Sequence, residues 1–469
     1  MTLIRSLSAA SLSLALSACA SMGHIAPRST RLNPDTLGAG TAIGAARVAP
    51  EWPKQAWWQD LHDPQLNQLL AVALADNPGL HATQARVRQA RALAGAAEDN
   101  TGQKGDANMS LNRELYSAHG TTPAPLAGNY AWRNQATLSG SYDLDLWGRK
   151  REALAAALDD VELASAEAQV ARLALETAVV RTYIQLSLEF DSQDYVQASL
   201  AQRARILDIS RRRKAAGLGT DIDIAQIETT LPAGRRELEQ AAEAIALLRN
   251  QLAALSGKGP ADGEAIARPT LRLDAPPGLP SALPAELIGR RPDIAAQRWR
   301  VEAAAKRVDA AKAEFYPNVN LAAFVGLQSF GFAKFLDTNS EIAGLAPALN
   351  LPIFAGPRLR AQLGSRSALY DGAVEQYNAT VVQALGDVAN AIVKLRSLQQ
   401  QNLLTRRALE TANKAHDLAG RAYKAGLSDS VTVLGTQIAL LVEQQKLAQI
   451  GARELDGYVS LMAALGGGI

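Results

Sequence analysis

The sequence predicts a mainly α chain carrying four β-strands and long coiled-coil helices in two structural repeats, and three observations lead to that class. Lys-Ala-Ala-Gly-Leu-Gly-Thr-Asp at 214–221 is answered by Lys-Ala-Gly-Leu-Ser-Asp at 424–429. Each copy follows about 70 residues of nearly unbroken helical character, roughly 100 Å of helix at 1.5 Å rise per residue. Upstream of each long helix the period changes: Val319, Leu321, Ala323, Val325 and Leu327 alternate with Asn318, Asn320, Ala322, Phe324 and Gly326, the signature of a sheet with unlike faces.

Composition narrows the function. The 469 residues are 48% hydrophobic but only 5% aromatic, a balance suited to extended Ala-rich helices. Length alone accommodates about three domains; the repeat argues for two similar halves. With 48 basic and 46 acidic residues interspersed and a net charge of +2, neither a nucleic-acid partner nor an acidic tail is expected. His24, His62, His81, His119 and His416 are scattered. The chain has no HExxH, Cys/His metal spacing, GxSxG or phosphate loop, so no enzyme, metal site or cofactor is expected. Asp143 and Asp145 share a strand face, which reads as a polar lumen or surface.

The elements follow in order. Arg5, the apolar stretch Leu7 to Leu16, and Leu16-Ser-Ala-Cys19 resemble a bacterial lipoprotein signal over residues 1–18. Cys19, the only cysteine, would carry a diacylglycerol and an N-acyl chain. Ala20 and Ser21 follow, and the lack of Asp there implies passage to the outer membrane. Residues 19–61, rich in Pro, Gly and Ala with Trp52, Trp57 and Trp58, read as a lipid-anchored extended segment. Beyond Cys19 no apolar run is long enough for a membrane helix, so any crossing must be made by β-structure.

The first repeat is placed at 62–260. Leu66, Leu69, Leu70, Ala73 and Leu74 give one helical face from Asp63 to Asp76, stopped by Asn77-Pro78, and a second helix runs over 79–97. A strand pattern starts at Ala107, with a return strand from Trp132 to Leu144. The second repeat, 285–469, repeats the hairpin with a return strand from Glu341 to Ile353. Glycine-containing corners at 146–149 and 353–357 lead into the long helices. In the first, Leu154, Leu158, Val161, Ser165, Ala168, Arg172, Leu175 and Val179 follow a heptad track. An ordinary antiparallel coiled coil has the same spacing. The long helices end at Gly217 and Gly426, and returning helices start near Thr220 and Asp429 and continue to Leu255 and Leu465. Arg211 to Lys214 read as cations favoured at a helix C-terminus, with partner binding as the alternative. Residues 261–284 form the linker.

Four strands cannot close a membrane barrel, since single-chain barrels begin at eight. If the strands face lipid, several chains must contribute. A soluble four-stranded sheet would alternate in the same way.

Five motifs in order then acquire a shared meaning: Tyr142-Asp-Leu-Asp-Leu-Trp-Gly148, Leu287-Ile-Gly-Arg-Arg-Pro-Asp-Ile294, Ala313-Glu-Phe-Tyr-Pro-Asn-Val319, Leu349-Asn-Leu-Pro-Ile-Phe354 and Ala464-Leu-Gly-Gly-Gly468. The chain resembles the TolC family of outer-membrane efflux proteins, in its lipoprotein (NodT-type) branch. The resemblance implies a homotrimeric β-barrel continued by a periplasmic α-barrel. It also implies passive export of small toxic compounds, handed over by a proton-driven inner-membrane transporter through a periplasmic adaptor. The repeated turns, Gly217, Leu218, Gly219 and Thr220 with Gly426, Leu427, Ser428 and Asp429, match the family's adaptor-contact tips. Read structurally, those glycines simply cap helices. Asp223 and Tyr423 match a polar link of the closed gate. The family's constriction positions fall at Val431, Thr432 and Gly435, where its acids are missing. Val431 would then constrict by dewetting, or Asp221 would supply charge from the first hairpin. Two rival functions stay open: an exit duct for protein secretion, and a periplasmic coiled-coil lipoprotein without a pore.

Overall fold

A computed structural model describes residues 21–33, 36–37, 53–273 and 289–468, apart from the Asp223 side chain. The signal segment, Cys19 and the Pro-rich 276–284 lie outside the described residues. The helices are α1 (Pro64–Asp76), α2 (Pro78–Asp99), α3 (Arg149–Ala215), α4 (Asp221–Leu255), α5 (Pro260–Glu264), α6 (Pro292–Ala313), α7 (Gly356–Lys424) and α8 (Ser430–Ala464). The strands are β1 (Lys104–Leu115) and β2 (Tyr130–Asp143) before α3, with β3 (Asn318–Phe330) and β4 (Glu341–Asn350) before α7. None of the described helices is long and apolar enough to cross a membrane.

Two compact units emerge, and each draws on both sequence repeats. One contains Arg86–Ser165 and Ala296–Asn378 with the chain up to Arg31; the other contains Leu32–Ala85, Ala166–Ala295 and Ala379–Ile469. The long helices α3 and α7 contribute to both.

The first unit holds an antiparallel meander in the order β1-β2-β3-β4. Its register sorts the side chains by face. Ala107 pairs with Leu138, Leu138 with Val325 and Val325 with Ala343, while one residue along Asp106 pairs with Ser139, Ser139 with Phe324 and Phe324 with Gly344. On the first face Met109, Leu111, Leu138, Tyr142, Leu321, Val325, Leu345 and Leu349 are all solvent-exposed. The other face carries Lys104, Asp106, Asn108, Gln135, Thr137, Ser139, Asp143 and Asn320. Gly326 is required at the centre: a Cβ there would strike the Ala136 carbonyl on β2.

The strand limits differ from the sequence expectation in physically readable ways. β1 begins at Lys104, three residues before Ala107, and β2 at Tyr130. The missed part of β1 alternates Lys104 and Asp106 with Gly105 and Ala107, giving too little apolar contrast to register as a strand. β4 ends at Asn350, because Pro352 offers no N–H to the ladder. The linker expected from residue 261 instead opens within the one-and-a-half-turn α5, which has Pro260 at a helix-compatible first position.

Below the sheet, α6 and α7 pack through Val308, Ala311, Phe315, Leu359 and Leu363, with Met22 and Ile25 against them. Val301 and Ala304 meet Ala373 and Val374 one to two turns further along. The N-terminal segment is held to α7 as the Arg28 and Ser29 amides donate to the Asp371 carboxylate at 2.8 and 2.9 Å.

The second unit has the larger core, in which Trp57, Leu61, Leu66, Leu70, Val179, Tyr183, Leu252, Ile392, Leu395, Tyr458 and Leu461 are buried together. Asp63 caps α1, accepting from the Gln65 and Leu66 amides at 2.9 and 3.3 Å. It is itself buried, and its other oxygen accepts from the Tyr183 hydroxyl at 3.0 Å and the Thr270 amide at 2.7 Å. Gln65 pairs with both backbone groups of Ala267. The chain after α5 is therefore strapped across α1. Arg291 of the Arg-Arg-Pro-Asp motif is also buried, bonding to Asp293, Asp387 and the Ala464 carbonyl at 2.8, 3.2 and 3.0 Å. Next to it the closing glycines 466–468 all take positive φ, and a Cβ at 467 or 468 would collide with Leu173 or with the Pro53 and Lys54 carbonyls.

Candidate functional site

Two places carry the chemistry that the sequence singled out: the corner joining sheet to helices, in the first unit, and the repeated turns, in the second. At the corner, Asp145 sits at φ 40° and its carboxylate accepts from the Lys150 and Arg151 amides at 3.0 and 2.9 Å, covering free donors at the start of α3. Trp147 stacks on Tyr316 with ring centroids 4.5 Å apart, and its indole N–H donates to the Pro317 carbonyl at 2.9 Å. Asn318 donates to Asp143 at 3.2 Å. Two motifs some 170 residues apart are thereby one construction that fixes how strand gives way to helix. Asp143 and Asp145 split their duties: Asp143 lies on the polar sheet face beside Arg149 and Lys150 at 3.5 and 3.3 Å, while Asp145 is a helix cap.

At the repeated turns both long helices end in the same way. The Gly217 amide bonds to the Lys214 carbonyl and the Leu218 amide to Arg213, at 2.9 and 2.8 Å. Gly426 and Leu427 bond to Tyr423 and Ala422 at 3.0 and 2.9 Å. With φ of 75° at Gly217 and 74° at Gly426, each is a Schellman cap, whose left-handed residue favours glycine. Leu218 and Leu427, next after the glycines, remain 69% and 84% exposed.

The returning helices start differently. Asp429 caps α8 by accepting from the Thr432 amide at 2.7 Å, and the Thr432 hydrogen bonds hold its carboxyl below the usual carboxylate range. Asp221 is the first residue of α4 and pairs with Lys214. Val431, Thr432 and Gly435 lie on the first turns of α8 and are exposed.

The expected Asp223 to Tyr423 link lies outside the described residues on its Asp223 side. Tyr423 has the Arg213 guanidinium over its ring at 5.3 Å, and its buried hydroxyl has no hydrogen-bond partner among the described residues. Sequence reasoning treated Arg211 to Lys214 as one cationic helix end. Each has its own partner: Glu228, Asp208, the Tyr423 ring and Asp221. The two hairpins also meet through Ser210 and Ser430, 3.5 Å apart and both buried, and through Leu434 packed with Ile206, Leu207 and Ile227. The Asp208 to Arg212 spacing of four residues was the one legible sign of this pairing.

No group of three or more His, Cys, Asp or Glu residues that could hold a metal occurs among the described residues.

Comparison with known proteins gives a consistent result. The family described as outer membrane efflux protein matches residues 69–258 and 283–467. The fusaric acid resistance protein FusA of Burkholderia cepacia is 45% identical over 361 residues, 76% of this chain and 68% of FusA. The multidrug resistance outer membrane protein MdtP of Escherichia coli K12 is 29% identical over 461 residues, 97% of this chain and 94% of MdtP. The outer membrane protein VceC of Vibrio cholerae superposes with a TM-score of 0.84 at 34% identity, covering 89% of this chain and all of VceC. A Campylobacter jejuni outer membrane channel, CmeC, shares the fold with a TM-score of 0.87 at 19% identity. A four-stranded sheet with one apolar face, two long helical hairpins and these matches together show that the chain belongs to the outer membrane efflux protein family and is an outer-membrane efflux channel subunit that extends into the periplasm.

Proposed function

We propose that three copies of this chain form one passive duct, a twelve-stranded β-barrel continued by an α-barrel, which exports small toxic compounds delivered by an inner-membrane pump through a periplasmic adaptor. The observation that carries this is the sheet. It has a continuous exposed apolar face, a polar face, and two edges, β1 and β4, that pair with no other strand of the described residues. Four strands are too few to close, and an open edge in lipid would leave N–H and C=O groups without partners. Pairing β4 of one copy with β1 of the next removes every edge. The relatives named for resistance to fusaric acid and to multiple drugs support a small-molecule cargo over secreted protein. No catalytic step is assigned.

The repeated turns are the adaptor contact in this reading, with Leu218 and Leu427 as its apolar centre. The constriction is formed by Val431, Thr432 and Gly435, with Tyr423 part of the same gate. Asp221 contributes little fixed charge to it, because Lys214 is its partner. Cys19 carries the lipid anchor.

Reconstitution into planar bilayers tests the duct directly. Stepwise conductance from a detergent-stable trimer is expected, and a monomeric, non-conducting protein would refute the reading. Substituting Leu218→Asp together with Leu427→Asp should leave conductance intact while abolishing drug efflux from cells, since only the adaptor contact is altered. Loss of both activities, or of neither, would remove the tip from the proposal.

A further inference from the structure

The first unit holds a cavity of about 570 Å³ immediately below the sheet, lined from five segments: the turn after α2 (Asn100), the start of β1 (Lys104), α3 (Arg149, Lys150, Asp160), α6 and the residue after it (Arg307, Glu314), and α7 (Arg366). The sheet contributes Lys104 to its lining, a residue of the polar face. Lys104 and Asp143 alternate onto that face, Lys104 donates to Asn100 at 2.9 Å, and Asp143 accepts from Asn318 while facing Arg149 and Lys150. The opposite face is the apolar one, which lipid must cover. In a channel, the cavity is therefore on the luminal wall.

Its charges do not cancel. Arg307 is paired with Asp160, and Arg149 and Lys150 share the single carboxylate of Asp143. Lys104 has only the uncharged Asn100 as partner, and Arg366 has no carboxylate within ion-pair distance among the described residues. Glu314 is engaged by the Gln362 amide at 3.1 Å. Five cations and two carboxylates, Asp160 and Glu314, thus line a concave pocket, with Asp143 outside its lining as the partner of Arg149 and Lys150. Such a concavity with low-dielectric walls focuses potential and raises the local concentration of counter-ions. At physiological ionic strength screening acts over about 8 Å, so this field is felt inside the pocket and its mouth rather than along the whole wall.

We propose that this cavity is a luminal anion site, repeated in each copy around the duct, that takes up solutes bearing carboxylate or phosphate groups as they pass from helices to barrel. The proposal rests on the channel reading above and assigns that channel a preference for anionic cargo. Lys104 and Arg366, the two cations without a carboxylate partner, supply most of the attraction. Arg149, Lys150 and Arg307 are partly neutralised and set the pocket's shape. An anionic lipid headgroup offers the same chemistry but would have to reach the face turned away from the apolar surface.

The test is block of ion current by citrate, added on the barrel side of the channel in bilayers of phosphatidylcholine alone, so that no anionic lipid is present. Wild-type channels are expected to show concentration-dependent block. Lys104→Gln with Arg366→Gln should raise the half-blocking concentration about tenfold or more, since each lost charge acts at close range in a confined site. Lys104→Arg with Arg366→Lys should keep the block, and Glu314→Gln should strengthen it. Equal half-blocking concentrations in all four proteins, or equal block by spermidine, would overturn the anion site while leaving the channel reading standing. Block that appears only when anionic lipid is added would assign the site to a headgroup and overturn the luminal proposal. A protein with no conductance would overturn the channel reading and this site with it.

Discussion

Replacing Asp63 with Ala should release the strap that follows α5 without unfolding the helices around it. Asp63 is 2% exposed and caps α1 with one oxygen. The other accepts from the Thr270 amide at 2.7 Å, the Thr270 hydroxyl at 3.2 Å and the Tyr183 hydroxyl at 3.0 Å. Tyr183 keeps a second partner in Gln65, at 2.6 Å, whereas the Thr270 amide has none other. The loss of one charge-assisted bond to a backbone amide is worth about 1.5–3 kcal/mol. At about 1.4 kcal/mol per factor of ten, exchange of the Thr270 amide through local opening should quicken roughly 10- to 150-fold. Hydrogen exchange read by mass spectrometry over residues 266–273 of the solubilised protein measures this. Asp63→Asn, whose single amide oxygen can accept on the cap side or on the Thr270 side but not on both, should fall between wild type and Asp63→Ala. Tyr183→Phe should leave Thr270 nearly unchanged. If Asp63→Ala alters Thr270 exchange by less than about threefold, the strap is held by Gln65 and by the Arg272 to Leu61 backbone bond, and Asp63 is only a helix cap.

Three further outcomes follow from the same geometry. Gly326→Val should abolish membrane insertion, because any Cβ meets the Ala136 carbonyl and forces β2 from β3; stable trimers of this variant would contradict the observed register. The lowered carboxyl of Asp429 means that its cap is fully present above the ordinary carboxylate range and is lost as pH falls through its folded value, so amide exchange in the first turn of α8 should rise below about pH 4 and Asp429→Asn should flatten that dependence. Cys19→Ala should eliminate incorporation of labelled fatty acid while trimers still form, and continued labelling would place the acyl chains elsewhere.

Much of the fold was legible because its signals are local. Gly217 and Gly426 announce left-handed helix caps, Asp429 announces an N-cap, and β3 declares itself through ten residues of alternation. Where the code is weak, it failed in specific ways. β1 puts Lys104 and Asp106 on one sheet face and Gly105 and Ala107 on the other at its start, so it resembles a loop until Ala107. The strap could not be foreseen from Asp63, whose partner Thr270 is 207 residues away. Nor did four consecutive cations at 211–214 reveal four separate partners, since the Tyr423 ring that receives Arg213 arrives from the other repeat. The motif pair at the corner was visible as two motifs. That Trp147 and Tyr316 stack into one joint required three dimensions.

The tip shows how helix-ending physics and recognition become the same problem. In a Schellman cap the residue after the glycine usually folds an apolar side chain back onto the position five residues earlier. At the first turn that position is Arg213, already committed to the Tyr423 ring, and at the second it is Ala422, too small to shelter a leucine. Leu218 and Leu427 are therefore left outside by the very residues that close the helices. Their rims differ, one carrying the Lys214 to Asp221 pair and the other the Asp429 cap. On the proposed adaptor contact, a binding surface must then be apolar at its centre in both places and electrostatically permissive around it. The consequence is testable by separating centre from rim: neutralising Lys214 with Asp221 together should disturb efflux far less than replacing the two leucines, because a solvent-exposed ion pair contributes about 0–1 kcal/mol, whereas each leucine buries a whole apolar side chain on docking.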